Sequence, residues 1–187
     1  MFYLFIKRLM DILVSIIFLI CTLWLYIPII ILIKLDSPGE AIFGQWRVGK
    51  GERLFRCYKF RTMISVDTGD KSKPIQQDGR VTRIGKRLRR WSIDEWPQFW
   101  NILKGDMSLV GPRPELPDFV EQYQDWQKRR FEFKPGLTGW WQVNGRKQPM
   151  HDHIDEDIYY VDHASCKLDL LILFRTIGAV MGGQGAC

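Results

Sequence analysis

Between Asp11 and Lys34 the chain carries no charged side chain. As a helix, residues 12–33 would extend about 33 Å at about 1.5 Å per residue, close to the roughly 30 Å hydrocarbon core of a bilayer. A run of that length needs lipid or protein around it, so it restricts the fold more than any other feature. A simple transmembrane anchor meets the requirement. A signal peptide does not, because the run is too long and no convincing small-x-small cleavage site accompanies it.

Two details point to a different path. Lys7 and Arg8 precede the run, Lys34 follows it, and a basic region begins at Arg47. Positive charge on both flanks opposes placing either flank outside. Pro28 lies well inside the run, where it removes one backbone hydrogen bond and crowds the Trp24 carbonyl, favouring a bend. A helix–break–helix over residues 1–36 that enters one leaflet and returns keeps both flanks on the cytoplasmic side, provided the freed carbonyls find partners. The residues alone leave the spanning and re-entrant paths both open.

The chain has 187 residues, enough for one domain with a real core and a short appendage. Its net charge of +6 suits an anionic partner: nucleic acid, an acidic membrane face or a phosphorylated substrate. Eight tryptophans fit a protein working at a membrane–water boundary. Cys21, Cys57, Cys166 and Cys187 are scattered without a C-x-x-C pair, which disfavours a disulfide framework or zinc site and suits a reducing, cytosolic compartment.

After the "DSPGE" turn, "AIFGQWRVGKGERLFRCYKFRTM" places aromatic and β-branched residues around Gly49 and Gly51, which predicts a short hairpin. Residues 64–79 are polar and breaker-rich, hence a loop. From Val81 to Trp91 the pattern becomes helical, with Ile84, Leu88 and Trp91 on one face and Arg83, Lys86, Arg87, Arg89 and Arg90 over the rest. Such a basic amphipathic helix suits an interface, although a solvated face packed by a narrow stripe has the same pattern. "LPDFVEQYQDWQKRRFEF" forms another amphipathic stretch, ended by Pro135-Gly136. The tail "CKLDLLILFRTIGAVMG" predicts a core or interface helix too interrupted by charge to span.

The segment "WSIDEWPQFWNILKGDMSLVGPRPE" sets Asp94 beside Glu95 just after the basic helix. Helix capping is the plain explanation, since Ser92 and Glu95 fit an S-x-x-E capping box. Pro97 weakens it. Counted from Ser92, the proline falls at the fifth helical position; counted from Asp94, it removes an amide that a cap would bond. The same residues suit phosphoryl chemistry. A carboxylate can attack phosphorus to form an acyl phosphate, and Glu95 offers a hard oxygen ligand for Mg²⁺. Arg89, Arg113 and Arg146 can clamp a diphosphate, because guanidinium binds phosphate bidentately.

Taken together, "KFRTM" at 59–63, "SIDEWPQFWNILKGDMSLVGPRPE" at 92–115 and "PGLTGWWQVNGR" at 135–146 resemble the bacterial sugar transferases, the monotopic phosphoglycosyl transferases. Lys7-Arg8 and "QWRVGKGERLFRCYKFRTM" match in order as well. The resemblance covers nearly the whole chain and looks like the short catalytic form. It implies transfer of a phospho-sugar from a UDP-sugar to polyprenol (undecaprenyl) phosphate with release of UMP, a first membrane step of glycoconjugate or exopolysaccharide assembly. By this resemblance Asp94 is the covalent nucleophile and Glu95 the metal-associated carboxylate, the pair sharing Mg²⁺. Lys59, Arg89, Arg113 and Arg146 occupy basic positions of the family motifs. Trp96 departs from the leucine common after the dyad, and Ile27 stands where a serine is expected before Pro28.

The expected fold is α+β and mostly helical: a re-entrant membrane helix over 1–36, then a catalytic domain over 37–187 with interfacial amphipathic helices and a short hairpin. The implied location is the cytoplasmic face of a bacterial inner membrane, with membrane lipid as a partner and no nucleic acid. A tethered nucleic-acid-binding module or a structural scaffold would also use basic charge and aromatics, but neither requires the Asp-Glu-x-Pro centre. His151, His153 and Asp155 alternate like strand ligands yet fit a solvated acidic loop better. Trp140 and Trp141 could stack a uracil or pack internally. Lys104 and Asp106 flank Gly105 as turn residues.

Overall fold

The computed structural model describes residues 2–64, 80–144 and 153–182. Helix α1, Phe2–Asp36, is one hydrogen-bonded element that contains Pro28, so the expected break is absent. Proline removes a single donor, and packing holds the helix on both sides of it. Tyr26 meets Phe60 at 5.1 Å between ring centroids, and Ile33 is buried beyond the proline with Ala41, Phe60 and Leu88.

Two faces of α1 differ in an unusual sense. Leu13, Ile17, Ile20, Leu23, Trp24, Ile27, Ile31 and Leu35 follow helical spacing and are all exposed. The buried positions Lys7, Asp11 and Ser15 lie four residues apart on the opposite face. There Lys7 Nζ donates to Asp169 (2.8 Å) and to the Tyr160 hydroxyl (3.1 Å). The Asp11 carboxylate accepts from the Leu109 N–H (2.8 Å) and the Ser108 hydroxyl (3.0 Å). Arg8 donates to the Ile102 and Leu103 carbonyls, near the end of the helix Gln98–Lys104. Phe18 stacks on Phe99 at 3.8 Å and meets Trp96 edge-on at 5.3 Å, so the departure at position 96 is a packing contact to α1. Among the described residues, α1 is the one helix long and apolar enough to cross a membrane.

The predicted hairpin forms from β1 (Ile42–Val48) and β2 (Leu54–Phe60), antiparallel, with Arg47 opposite Phe55. The turn between them uses Gly51 at φ 63°. Helix α2, Arg83–Arg90, starts with Thr82 capping the Gly85 N–H. It lies so close to the "KFRTM" segment that a Cβ at Gly85 would stand 2.2 Å from the Thr62 carbonyl oxygen. Leu88 is buried and Trp91 is 45% exposed, so the apolar stripe packs along its length and opens at its end. Helix α3, Gln98–Lys104, is tied to the hairpin by Asn101, whose amide exchanges hydrogen bonds with the Arg56 carbonyl and Tyr58 N–H. As expected, Gly105 ends α3 at φ 94°, and Lys104 pairs with Asp106 at 2.9 Å.

Strand β3 (Ser108–Val110) pairs in parallel with β4 (Gly136–Thr138), joining the "GPRPE" and "PGLTG" segments. The two chains approach too closely for side chains: a Cβ at Gly111 would lie 2.3 Å from the Lys134 carbonyl oxygen, and one at Gly136 2.2 Å from the Gly111 nitrogen. The amphipathic stretch between them is not one helix. It divides into α4 (Pro117–Val120), α5 (Asp125–Lys128) and a 3-10 turn over Arg129–Glu132, because Arg130 and Phe131 are drawn inward. Helices α6 (Trp140–Asn144), α7 (Ile154–His163) and α8 (Cys166–Met181) complete the fold. The main core joins Phe55, Phe99, Ile102, Met107, Tyr160 and Ile172 beneath α1.

The Lys7–Asp169 pair generates the first prediction. Lys7→Met leaves the Asp169 charge buried without its cation, an uncompensated cost of about 3–5 kcal/mol. Thermal unfolding in detergent should show a large fall in Tm. Replacing both partners, Lys7→Met with Asp169→Leu, should recover part of that loss.

Candidate active site

Asp94 and Glu95 lie on a 3-10 turn, Ile93–Glu95, between α2 and α3. Neither capping arrangement is adopted. Ser92 has left-handed backbone angles, φ 54° and ψ 22°, and its side chain makes no capping bond; α3 begins only after Pro97. The proline is the physical reason, since it cannot supply an amide inside a helix begun earlier. The left-handed residue reverses the chain sharply and carries both carboxylates inward, where Asp94 is 5% and Glu95 7% exposed.

The two acids differ in surroundings. Glu95 Oε1 pairs with Lys59 Nζ at 2.7 Å, from β2, and lies 3.8 Å from Arg113 Nη2. Asp94 Oδ1 is buried without a hydrogen-bond partner. Burial, reinforced by the Glu95 charge, pushes the Asp94 carboxyl up to about 6, against the pull of Lys59 and Arg89. Arg89 is oriented from α2 by donating its Nε–H to the Thr62 hydroxyl at 2.9 Å.

A narrow cleft beside the dyad is lined by Arg47, Lys59, Glu95, Gln98 and Arg113, with Cys57 and the main chain at Gly136 beneath. Thus Lys59, Glu95 and Arg113 meet in one cleft, which Asp94 and Arg89 do not line. Arg146 and His151 lie outside the described residues. Sequence reasoning missed Arg47 as a site residue. Its guanidinium donates to the Pro114 carbonyl (3.1 Å) and Gln45 Oε1 (2.8 Å), and burial with nearby Arg113 lowers its proton affinity. A signal existed in its place on β1, opposite the strand leading into "YKFRTM".

The tryptophans are engaged in packing. Trp140 stacks on Tyr159 at 5.0 Å with Arg175 over its ring at 5.4 Å, and Trp141 is buried. Asp155 lies in the first turn of α7, and no cluster of three or more metal-ligating side chains occurs among the described residues. The dyad itself fits Mg²⁺: it offers a buried carboxylate oxygen lacking a partner beside a second carboxylate, and Mg²⁺ commonly takes one or two carboxylates plus substrate phosphates.

A family model described as bacterial sugar transferase matches residues 2–183. The chain is 46% identical, over 98% of its length, to a UDP-N-acetylgalactosamine-undecaprenyl-phosphate N-acetylgalactosaminephosphotransferase of Aeromonas hydrophila, covering 45% of that protein. It is 41% identical to the uncharacterized sugar transferase EpsL of Bacillus subtilis, covering 96% of this chain and 89% of the relative. It is 39% identical to the undecaprenyl-phosphate galactose phosphotransferase of Salmonella typhimurium, covering 97% of this chain and 42% of that protein. The chain therefore spans under half of the Aeromonas and Salmonella relatives and most of the Bacillus one.

The raised Asp94 pKa has a consequence for stability. A folded-state value near 6 exceeds the ordinary carboxyl value of about 3.9, so folding favours the protonated form. Its stabilising contribution is complete below about pH 4 and lost as pH rises through 6. At pH 7.5 the charged, buried Asp94 therefore costs stability. Asp94→Asn should raise Tm at pH 7.5, with the gain over wild type shrinking toward pH 4.5; differential scanning fluorimetry across that range reads both.

Proposed function

Because the chain belongs to the bacterial sugar transferase family, we propose that it is a membrane phosphoglycosyl transferase, moving a phospho-sugar from a UDP-sugar to polyprenol phosphate. The observation that carries this reading is the unpartnered, buried Asp94 oxygen beside a carboxylate already paired with cations. An Asp94 oxygen attacks the sugar-bearing phosphorus; the bond from that phosphorus to the bridging oxygen breaks, and UMP leaves with the electron pair. The polyprenol phosphate oxygen then attacks the same phosphorus, releasing the Asp94 carboxylate and forming the polyprenol diphosphate sugar.

Lys59, Arg113 and Arg89 hold the diphosphate oxygens and offset the charge that would repel an incoming carboxylate. Arg146 is assigned to the same clamp through its place in the family motif. When bound by Asp94 and Glu95, Mg²⁺ supplies charge neutralisation at the phosphates. The sugar is left open, since the relatives' names specify N-acetylgalactosamine in one and galactose in another.

We further infer that the enzyme works on the cytoplasmic face of the inner membrane with α1 in one leaflet. Both ends of α1 engage the same catalytic domain: Lys7 holds Asp169, and Asp36 accepts the Ile84 N–H at 2.9 Å. A helix fixed at both ends to one domain does not carry its ends to opposite sides. Its outward face is apolar throughout, which suits acyl chains.

Incubation with a panel of UDP-sugars and undecaprenyl phosphate should release UMP with at least one sugar. Intact mass after UDP-sugar alone should rise by one phospho-sugar in wild type and stay unchanged in Asp94→Asn. Chelation by EDTA should suppress the first step; UMP release at the normal rate in EDTA would remove the metal assignment.

Topology is tested separately. In a chain lacking its own cysteines, Phe2→Cys should resist an impermeant thiol reagent added outside intact cells and react after permeabilisation. Labelling in intact cells would show a spanning helix.

A further inference from the structure

The segment Gly111–Glu115 has no regular secondary structure, and Pro112 and Pro114 have no N–H to donate. Its path is set mainly by its carbonyls. Four in succession are each held by a different donor. Pro112 O accepts from the Gly136 N–H (2.8 Å), and Arg113 O from Arg130 Nη2 (2.7 Å). Pro114 O accepts from Arg47 Nη1 (3.1 Å), and Glu115 O from the Val48 N–H (2.9 Å). Two of these clamps are side chains reaching in from elsewhere.

Arg130 is the more unusual of the two. Its side chain is 0% exposed, and the same Nη2 that holds the Arg113 carbonyl also donates to Asp157 on α7, itself 1% exposed. Its Nη1 donates to the Tyr123 hydroxyl at 2.9 Å and lies 3.7 Å from Glu115 Oε2. The Asp157 carboxylate also accepts from the Arg113 N–H. Both sides of the Arg113 main chain are thus bound by one buried ion pair. Burying an ion pair costs desolvation energy that attraction seldom repays in full, so its place directly behind a cleft arginine calls for a role beyond stability.

We propose that Arg130 and Asp157 are positioning residues for phosphate binding: they fix the Arg113 main chain so that its guanidinium stays in the cleft beside Glu95. The inference rests on reading Arg113 as a phosphate-binding residue. Arg130 is suited to the task because its planar fork serves the Arg113 carbonyl, Asp157 and Tyr123 together. A lysine there keeps the charge but cannot hold the three partners in one plane. Arg113 would then drift on a loop whose two prolines give no compensating bonds.

The test is a double-variant cycle read on binding, using inorganic pyrophosphate with Mg²⁺ as the probe and full-length protein in detergent. Calorimetry should give about a tenfold weaker Kd for Arg130→Lys, the loss of a charge-assisted hydrogen bond network behind the ligand. Arg113→Ala should weaken binding at least as much. Adding Arg130→Lys to Arg113→Ala should then change nothing more, because its effect passes through Arg113. Additive losses, or an unchanged Kd in a folded Arg130→Lys protein, would overturn the positioning role.

If Arg130→Lys fails to fold, Asp157→Asn replaces it in the same cycle, and failure of both to fold counts as a purely structural role. Wild type that does not bind pyrophosphate overturns Arg113 as a phosphate ligand and the inference with it. Wild type that binds pyrophosphate but releases no UMP from any UDP-sugar overturns the proposed transfer reaction while leaving the positioning result intact.

Discussion

The contact between Asp11 and strand β3 governs the architecture. Asp11 is a charged residue at the edge of an apolar helix, and its carboxylate is satisfied by the Leu109 N–H and the Ser108 hydroxyl. Left without partners at that depth, it would be costly, so it fixes which face of α1 meets the domain. β3 then pairs with β4, and the Gly136 N–H at the start of β4 holds the Pro112 carbonyl one residue before Arg113. Three steps therefore lead from the membrane-suited helix to an arginine of the cleft. The same face carries Lys7 and Ser15, while the outward residues are apolar, the inverse of a helix that packs on a soluble core.

Around the dyad the balance of charge is as telling as the residues themselves. Arg47, Lys59 and Arg113 line the cleft with Glu95, and Arg47 also lies 3.9 Å from the Glu115 carboxylate. Burial and Arg113 both lower the affinity of Arg47 for its proton. Its bond to the Pro114 carbonyl holds it at the cleft with Lys59 and Arg113.

What was legible in the sequence was mostly local. The hairpin around Gly49 and Gly51, the helix from Arg83, the Gly105 turn and the doubt cast on capping by Pro97 all follow from a few neighbouring residues. The left-handed Ser92 was not foreseen, because nothing in the residue type demands that conformation. The break at Pro28 was a local inference overridden by contacts on either side. Arg47, Arg130 and Asp157 were invisible as a group, since their partners lie dozens of residues away. The Lys7, Asp11, Ser15 spacing marks the polar face of α1, but two of the three precede the uncharged run and the third is a single small hydroxyl within it.

The 3-10 turn explains how two adjacent carboxylates acquire different surroundings. With three residues per turn, successive side chains project about 120° apart, wider than in an α-helix. Glu95 is thereby turned toward Lys59 and Arg113, which neutralise it. Asp94 is buried beside it with one of its oxygens lacking a donor. On an extended strand the two would face opposite sides of the chain, and one would be lost to the site. On an α-helix beginning at Ser92, Glu95 would stand at N3 and be tied back to the Ser92 amide. Pro97 forbids that helix, Ser92 supplies the reversal, and the short turn that results leaves Glu95 paired with cations and one Asp94 oxygen without a hydrogen-bond partner.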